Sequence, residues 1–272
     1  MTTPRRIYIG FDDRESHFYE LCKFSILEHA SEPVEIIPMK HKDLRERGLF
    51  TRGFYTDGRT GQMIDEVDKR PFSTQFSHSR FLVPALEEHN WANKENRFVM
   101  FVDCDFIFTG DVIQAFKEAE ANDKALSVVK HDFKPTSAKK MDNVEQHAYN
   151  KKLWSALMFF DVTHPRNHSL SKEDVNCTDG RLLHQFFWLA EDDIGSISEG
   201  WNFIPDHSET RVDVADIGAV HYTEGGPCLA GYEDCTLSEA YYWTEKLYYA
   251  KKYFETNQEE IMAMASARGV IK

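Results

Sequence analysis

The run Phe101-Val102-Asp103-Cys104-Asp105-Phe106 places two carboxylates two positions apart between apolar residues. In an extended strand, positions i and i+2 share a face, so both acids would point the same way. A charge inside an apolar strand is costly unless paired or metal-bound, and two acids on one face repel. A divalent cation removes that conflict, and oxygen ligands favour a hard ion such as Mg²⁺ or Mn²⁺. The alternative is a strand-to-loop transition, with Asp103 capping a turn and Asp105 solvated. Other groups could work beside such an ion. Arg80 is either a helix-surface salt-bridge partner or a cation for phosphate. Lys130 and His131 close an apolar run and either face a crevice or form an ordinary polar strand end.

These residues need elements to carry them. Arg6–Asp12 reads as a buried strand ending in Asp12 and Asp13, Ser16–Ala30 as a helix capped by Asp13 or Ser16, and Val34–Pro38 as a second strand. Strand, helix, strand is the opening of a parallel α/β sheet. Residues 48–75 hold no period and read as a long irregular loop of the functional kind. Ser77–Glu88 and Asp111–Ala121 read as helices, and Arg97–Asp103 as a central strand covered on both faces. Ala125–Lys130, Leu153–Asp161 and Ile194–Ser198 read as further strands, Val220 as a strand end, and Asp179–Ala190 as a helix. Ligands of such sheets bind beyond the carboxyl ends of the strands, where the two acids fall. The expected domains are residues 1–236 and a helical extension, 237–272, packed on it.

The chain has 272 residues and a mass of 31.6 kDa, with 32 basic against 45 acidic residues and a net charge of −13. That balance argues against nonspecific nucleic-acid binding, which needs an excess of Lys and Arg. No stretch approaches the roughly 20 apolar residues that span a bilayer, and no apolar signal region follows Met1–Arg6. Five cysteines without a CxxC pair read as reduced thiols in a cytoplasmic protein. The tail mixes Tyr241, Tyr242, Trp243, Tyr248 and Tyr249 with Lys246, Lys251 and Lys252. Such a helix either packs on the domain or rests on a membrane surface, which would make the protein peripheral to the inner membrane face.

The segment 77–111 resembles the central block of GT-A glycosyltransferases, especially family 8. There, an Arg-bearing helix precedes an apolar strand ending in DxD, followed by a Gly-Asp turn into a helix. Arg80, Asp103, Asp105, Gly110 and Asp111 match that order. The opening Ile7-Tyr8-Ile9-Gly10-Phe11-Asp12-Asp13 is similar to the family's first strand. Val220-His221-Tyr222-Thr223-Glu224-Gly225-Gly226-Pro227 resembles its HxxG segment. The resemblance spans about residues 6–232. It implies a GT-A-type, Rossmann-like mixed sheet flanked by helices, with a helical C-terminal tail.

It also implies a function: metal-dependent transfer of a hexose from a nucleotide sugar, commonly a UDP-sugar, to a glycan or lipid-linked acceptor, with retention of configuration. Asp103, Asp105 and His221 would hold Mn²⁺ or Mg²⁺, His221 favouring Mn²⁺. Asp12 and Asp13 would contact the nucleoside. Arg80 and Lys130 would supply positive charge, and Gly225 and Gly226 would offer amides to the phosphates or form a plain turn. Gln185 aligns with the residue beneath the anomeric carbon, and His184 replaces an acid that contacts sugar hydroxyls; both could instead cap or pack a helix. Trp154, beside Ser155, either stacks on a sugar or belongs to the core, and Trp201-Asn202 would shape the acceptor side or, for Trp201, pack.

Departures from family 8 matter. Cys228 follows Pro227 where that family has Lys-Pro-Trp. Trp154-Ser155-Ala156 stands for its Asn-Ala-Gly, and His184-Gln185 for its Asp-Gln. The chain looks more like a divergent bacterial or phage GT-A group. A nucleotide-sugar-binding or scaffolding protein with decayed catalysis is the second reading. A nucleotidyltransferase is the third, disfavoured because Gly10-Phe11-Asp12-Asp13-Arg14 is too acidic for a triphosphate loop.

Overall fold

Phe98–Val102 contains no polar residue and is buried throughout, so it is covered on both faces as a central α/β strand must be. Burying each side chain of this size contributes about 1.5–3 kcal/mol. The computed structural model describes residues 3–92, 96–131, 151, 153–204, 208, 212–223, 259, 262–263, 265–267 and 269–270.

The chain opens with β1 (Arg5–Gly10), α1 (Ser16–His29), β2 (Val34–Met39) and α2 (His41–Glu46). Neither Asp13 nor Ser16 caps α1. A 3₁₀ turn at Asp13–Glu15 intervenes, and the Asp12 carboxylate caps it by accepting from Arg14 N at 2.9 Å. Residues 48–75 are not an irregular loop. They hold β3 (Phe54–Thr56), β4 (Met63–Asp65) and β5 (Pro71–Phe72), a small antiparallel sheet. Its anchor is a buried two-point ion pair, Arg52 Nε and Nη2 each 2.7 Å from an oxygen of Asp65.

A 3₁₀ turn, Ser79–Leu82, leads into α3 (Val83–Leu86), a short helix opening with Pro84 in its first turn. β6 (Phe98–Val102) and β7 (Phe106–Phe108) follow, then α4 (Val112–Asn122), capped by Asp111, whose carboxylate accepts from Ile113 N at 3.1 Å. β8 (Leu126–Val128), β9 (Leu157–Asp161), α5 (Pro165–His168), α6 (Lys172–Cys177), α7 (Gly180–His184), β10 (Ile194–Ser196) and β11 (Ala219–His221) complete the series. Trp154–Ala156 is a 3₁₀ turn, so that strand is shorter than expected. The helix expected over 179–190 likewise stops at His184.

The main sheet runs β10-β8-β9-β6-β1-β2. It is mixed: β1 is parallel to β2 and β6, β8 is parallel to β10, and β9 is antiparallel to both its neighbours. Pairing of Ile9 with Val102 aligns the carboxyl ends of β1 and β6, bringing Asp12 and Asp103 to one edge. A Cβ at Gly10 would fall 2.6 Å from the Phe76 ring, so only glycine lets the Phe76–Arg80 segment lie across that edge. From the tail, Ala265 and Val270 join the main core, and Val34 N donates to Val270 O at 2.8 Å. Residues 241–253, the expected aromatic and basic helix face, lie outside the described residues, and no described helix is long and apolar enough to cross a membrane.

Candidate metal centre

Asp103 and Asp105 do not lie in a strand. β6 ends at Val102, and the two acids occupy the turn before β7. The shared face therefore comes from a tight turn rather than a pleat. Asp103 N donates to Ala156 O at 2.9 Å, which pins the turn to the start of β9. β7 pairs antiparallel with β11 in a register that sets His221 against Phe106. Tyr222 N donates to Asp105 O at 3.0 Å, locking the second acid to the same corner. One ligand atom from each of Asp103, Asp105 and His221 then lies within 4.8 Å of the others.

This donor set suits a divalent cation of hard to borderline character: two carboxylates and one imidazole, His221 Nε2 standing 3.4 Å from Asp105 Oδ1. The cysteines do not compete. Burial pushes the Cys22 and Cys104 thiols well up, with Asp105 and Asp103 adding to the effect, so neither offers a thiolate. A second group, Asp65, Asp68 and His78, meets the same proximity condition. There Arg52 engages both Asp65 oxygens at 2.7 Å and stands 3.8 Å from Asp68, so that group already has its counter-cation in a two-point pair.

Arg80 is not on a helix surface. It is 5% exposed, its guanidinium lies 5.3 Å from the ring centres of both Phe76 and Phe101, and Nη1 donates to Ser155 O at 2.9 Å and forms an ion pair with Asp103 Oδ1 at 2.8 Å. Ser155 Oγ meets His184 Nδ1 at 2.8 Å, and the His184 ring packs edge-on against Phe81. Asp103, Arg80, Ser155 and His184 thus form one connected line. Gln185, exposed, ends α7. The chain turns sharply there because Phe186 adopts φ +56°, a left-handed conformation costing about 1–3 kcal/mol, held by burial of its ring against Phe81 and Trp188.

Other expected residues stand apart from this line. Asp12 is fully buried, and its carboxylate is occupied by Arg14 N, Nε and Nη2 and by Gln75 N, the last at 3.0 Å. Burial alone would raise its pKa, but these bonds hold it below the usual carboxylate range. These bonds tie Asp12 to its loop, and Asp13 is the exposed acid of the pair. Lys130 is committed to Ile194 O at 2.7 Å, and both it and Lys151 stand 5.6 Å from the Trp154 ring centre. Trp154 is half-buried, its indole donating to His131 O at 3.0 Å. His131 Nε2 lies 2.8 Å from Asn202 O. Trp201 is packed, buried against Gly218 and donating to Glu118 at 2.7 Å. Gly225 and Gly226 lie outside the described residues.

Two contacts at the centre escape sequence reasoning, that of Asn202, expected on the acceptor side, and that of Glu15. Asn202 Oδ1 lies 2.8 Å from His221 Nδ1, behind the candidate ligand. Glu15 is buried, with Cys104 Sγ 3.6 Å away, and burial, then the charges of Asp105 and Asp12, push its pKa up to about 7.

Solved structures resemble this architecture. The glycosyltransferase GlyE of Streptococcus pneumoniae TIGR4 superposes with a TM-score of 0.52 at 13% identity, over 94% of this chain and 64% of that one. The galactosyltransferase LgtC, solved with donor and acceptor sugar analogues, gives 0.49 at 13% identity, over 88% and 94%. The bifunctional glycosyltransferase WbbM gives 0.46 at 14% identity, and this chain spans only 46% of its length. The fold is GT-A. No family model matches the sequence. Protein CDI of Arabidopsis thaliana is 36% identical over 260 residues, 94% of this chain and 90% of the plant protein. At that identity over nearly the whole length, the chain belongs to the family of Protein CDI.

Proposed function

We propose that this chain is a metal-dependent glycosyltransferase that moves a hexose from a nucleotide sugar, a UDP-sugar by the family 8 resemblance, to a glycan or lipid-linked acceptor with retention of configuration. The observation that carries this reading is the convergence of Asp103, Asp105 and His221 within 4.8 Å at the carboxyl edge of a GT-A sheet. Asp103, Asp105 and His221 would hold Mn²⁺ or Mg²⁺. When bound, the ion would offset the charge of the donor diphosphate and of the leaving nucleoside diphosphate.

The chain's own residues do the rest. Arg80 holds Asp103 in place and keeps a positive charge beside the site. Ser155 fixes His184, leaving Gln185 at the exposed end of α7 as the group nearest to hand for positioning the sugar. The buried thiols Cys22 and Cys104 agree with a reducing compartment such as the cytoplasm.

A thermal-shift screen of nucleotide sugars with and without Mn²⁺ tests this. A donor that stabilises only with metal supports the reading and names the sugar; no metal-dependent shift for any donor counts against it. The binding or scaffolding alternative is favoured by Lys130, which is tied to Ile194 O rather than free for phosphate. Metal-dependent donor binding with no hydrolysis or transfer would decide for it.

A further inference from the structure

Asn202 is fully buried between His221 and Leu153. Its Oδ1 lies 2.8 Å from His221 Nδ1, and its Nδ2 lies 3.5 Å from Leu153 O. A carboxamide has an acceptor on one arm and two donors on the other. Only the NH₂ arm can face a main-chain carbonyl, because the flipped amide would set two oxygens against each other. Oδ1 therefore faces the imidazole, and His221 Nδ1 must bring the proton. In the neutral ring this leaves the Nε2 lone pair on the side of Asp105, 3.4 Å from Oδ1. Ring rotation is blocked as well: His221 stacks on Phe106 with centres 4.2 Å apart and planes 19° from parallel. The Asn202 main chain is held separately, its carbonyl 2.8 Å from His131 Nε2.

We propose that Asn202 is a positioning residue that holds His221 in its Nδ1–H tautomer and so directs Nε2 toward Asp103 and Asp105 as the third donor to the cation. This rests on the metal-site reading above. Asn202 touches no substrate; it acts through His221, as partners behind metal-bound histidines do. A neutral ring's lone pair aimed at a carboxylate is unfavourable unless a cation sits between them, and a bound metal ion would supply that cation.

The test uses the full chain and Mn²⁺ alone as the probe. Free Mn²⁺ is followed by electron paramagnetic resonance for the wild type, Asn202→Ala, Asn202→Asp and His221→Ala, and ¹⁵N NMR reads the His221 tautomer in metal-free wild type. Expected are an Nδ1–H tautomer and a loss of roughly 10–100-fold in Mn²⁺ affinity for Asn202→Ala. Asn202→Asp, which still accepts from Nδ1–H, should bind Mn²⁺ at least as well as the wild type. An Nε2–H tautomer in the wild type, or unchanged affinity in Asn202→Ala, overturns the proposal. The tautomer measurement needs no variant, so it decides even where Asn202→Ala does not fold. Absence of Mn²⁺ binding by the wild type overturns the metal reading instead, and is distinguished by a tautomer that is still Nδ1–H.

Discussion

Replacing Arg80 with Met would leave a flexible apolar chain between Phe76 and Phe101 but remove the charge that faces Asp103 at 2.8 Å. Removing one partner of a buried ion pair costs about 3–5 kcal/mol. The Asp103 side chain is 14% exposed, which allows some solvent relief, so the lower end, about 3 kcal/mol, is expected. For a chain of this length that lowers Tm by roughly 6–12 °C. Mn²⁺ should then take over part of the role of the guanidinium. Without the neighbouring positive charge, Arg80→Met binds the ion more tightly, and saturating Mn²⁺ raises its Tm by more than it raises that of the wild type. Arg80→Lys, which keeps a charge but not the planar guanidinium between the two rings, should fall between the two. Differential scanning fluorimetry with and without MnCl₂ reads all of this. A metal-free Arg80→Met protein melting within about 2 °C of the wild type would refute the buried-pair argument. An equal or smaller gain from Mn²⁺ would refute the placement of Arg80 beside the cation.

Arg52→Met should cost about 3–5 kcal/mol in urea unfolding, because it leaves Asp65 charged and buried, and Arg52→Met with Asp65→Leu should recover much of that; equal stabilities for the single and double variants would count against it. Burial, with a smaller push from Arg45, holds His41 neutral in the fold to about pH 4. The unfolded chain takes up that proton near pH 6.5, so the wild type loses up to about 3 kcal/mol from this site as pH falls from 6.5 to 4. His41→Phe should show a shallower decline over that window; parallel stability–pH curves would reject the assignment. Gln185→Ala should leave nucleotide affinity within about twofold while lowering the transfer rate roughly 10²-fold, and an unchanged kcat would remove Gln185 from the chemistry.

β1 and β6 were legible because each is an apolar run whose length matches a strand, and the DCD spacing marked the acids. What spacing did not reveal was the turn that holds them. Phe106–Phe108 is only three residues long, and its partner Ala219–His221 is more than 100 positions away, so the pairing that delivers His221 is a long-range fact. Residues 48–75 read as a loop because their strands have two or three residues each and are ordered by Arg52, Asp65 and Asn176 rather than by an apolar pattern. Arg80 stood equally well for a surface or a buried role, since a guanidinium becomes burial-tolerant only when rings and a carboxylate surround it. Asn202 gave no signal toward the metal because its meaning lies entirely in what faces each arm of its amide.

Calorimetric titration of UDP, GDP and ADP into the wild type and Asp105→Asn, with and without Mn²⁺, is the most direct measurement of the central claim. Expected is binding of one nucleoside diphosphate, UDP by the family resemblance, that requires Mn²⁺ and is lost in Asp105→Asn although that variant remains folded. Binding that is indifferent to the metal, binding that survives Asp105→Asn, or no Mn²⁺-dependent binding of any of the three would contradict a metal-held nucleotide at Asp103, Asp105 and His221.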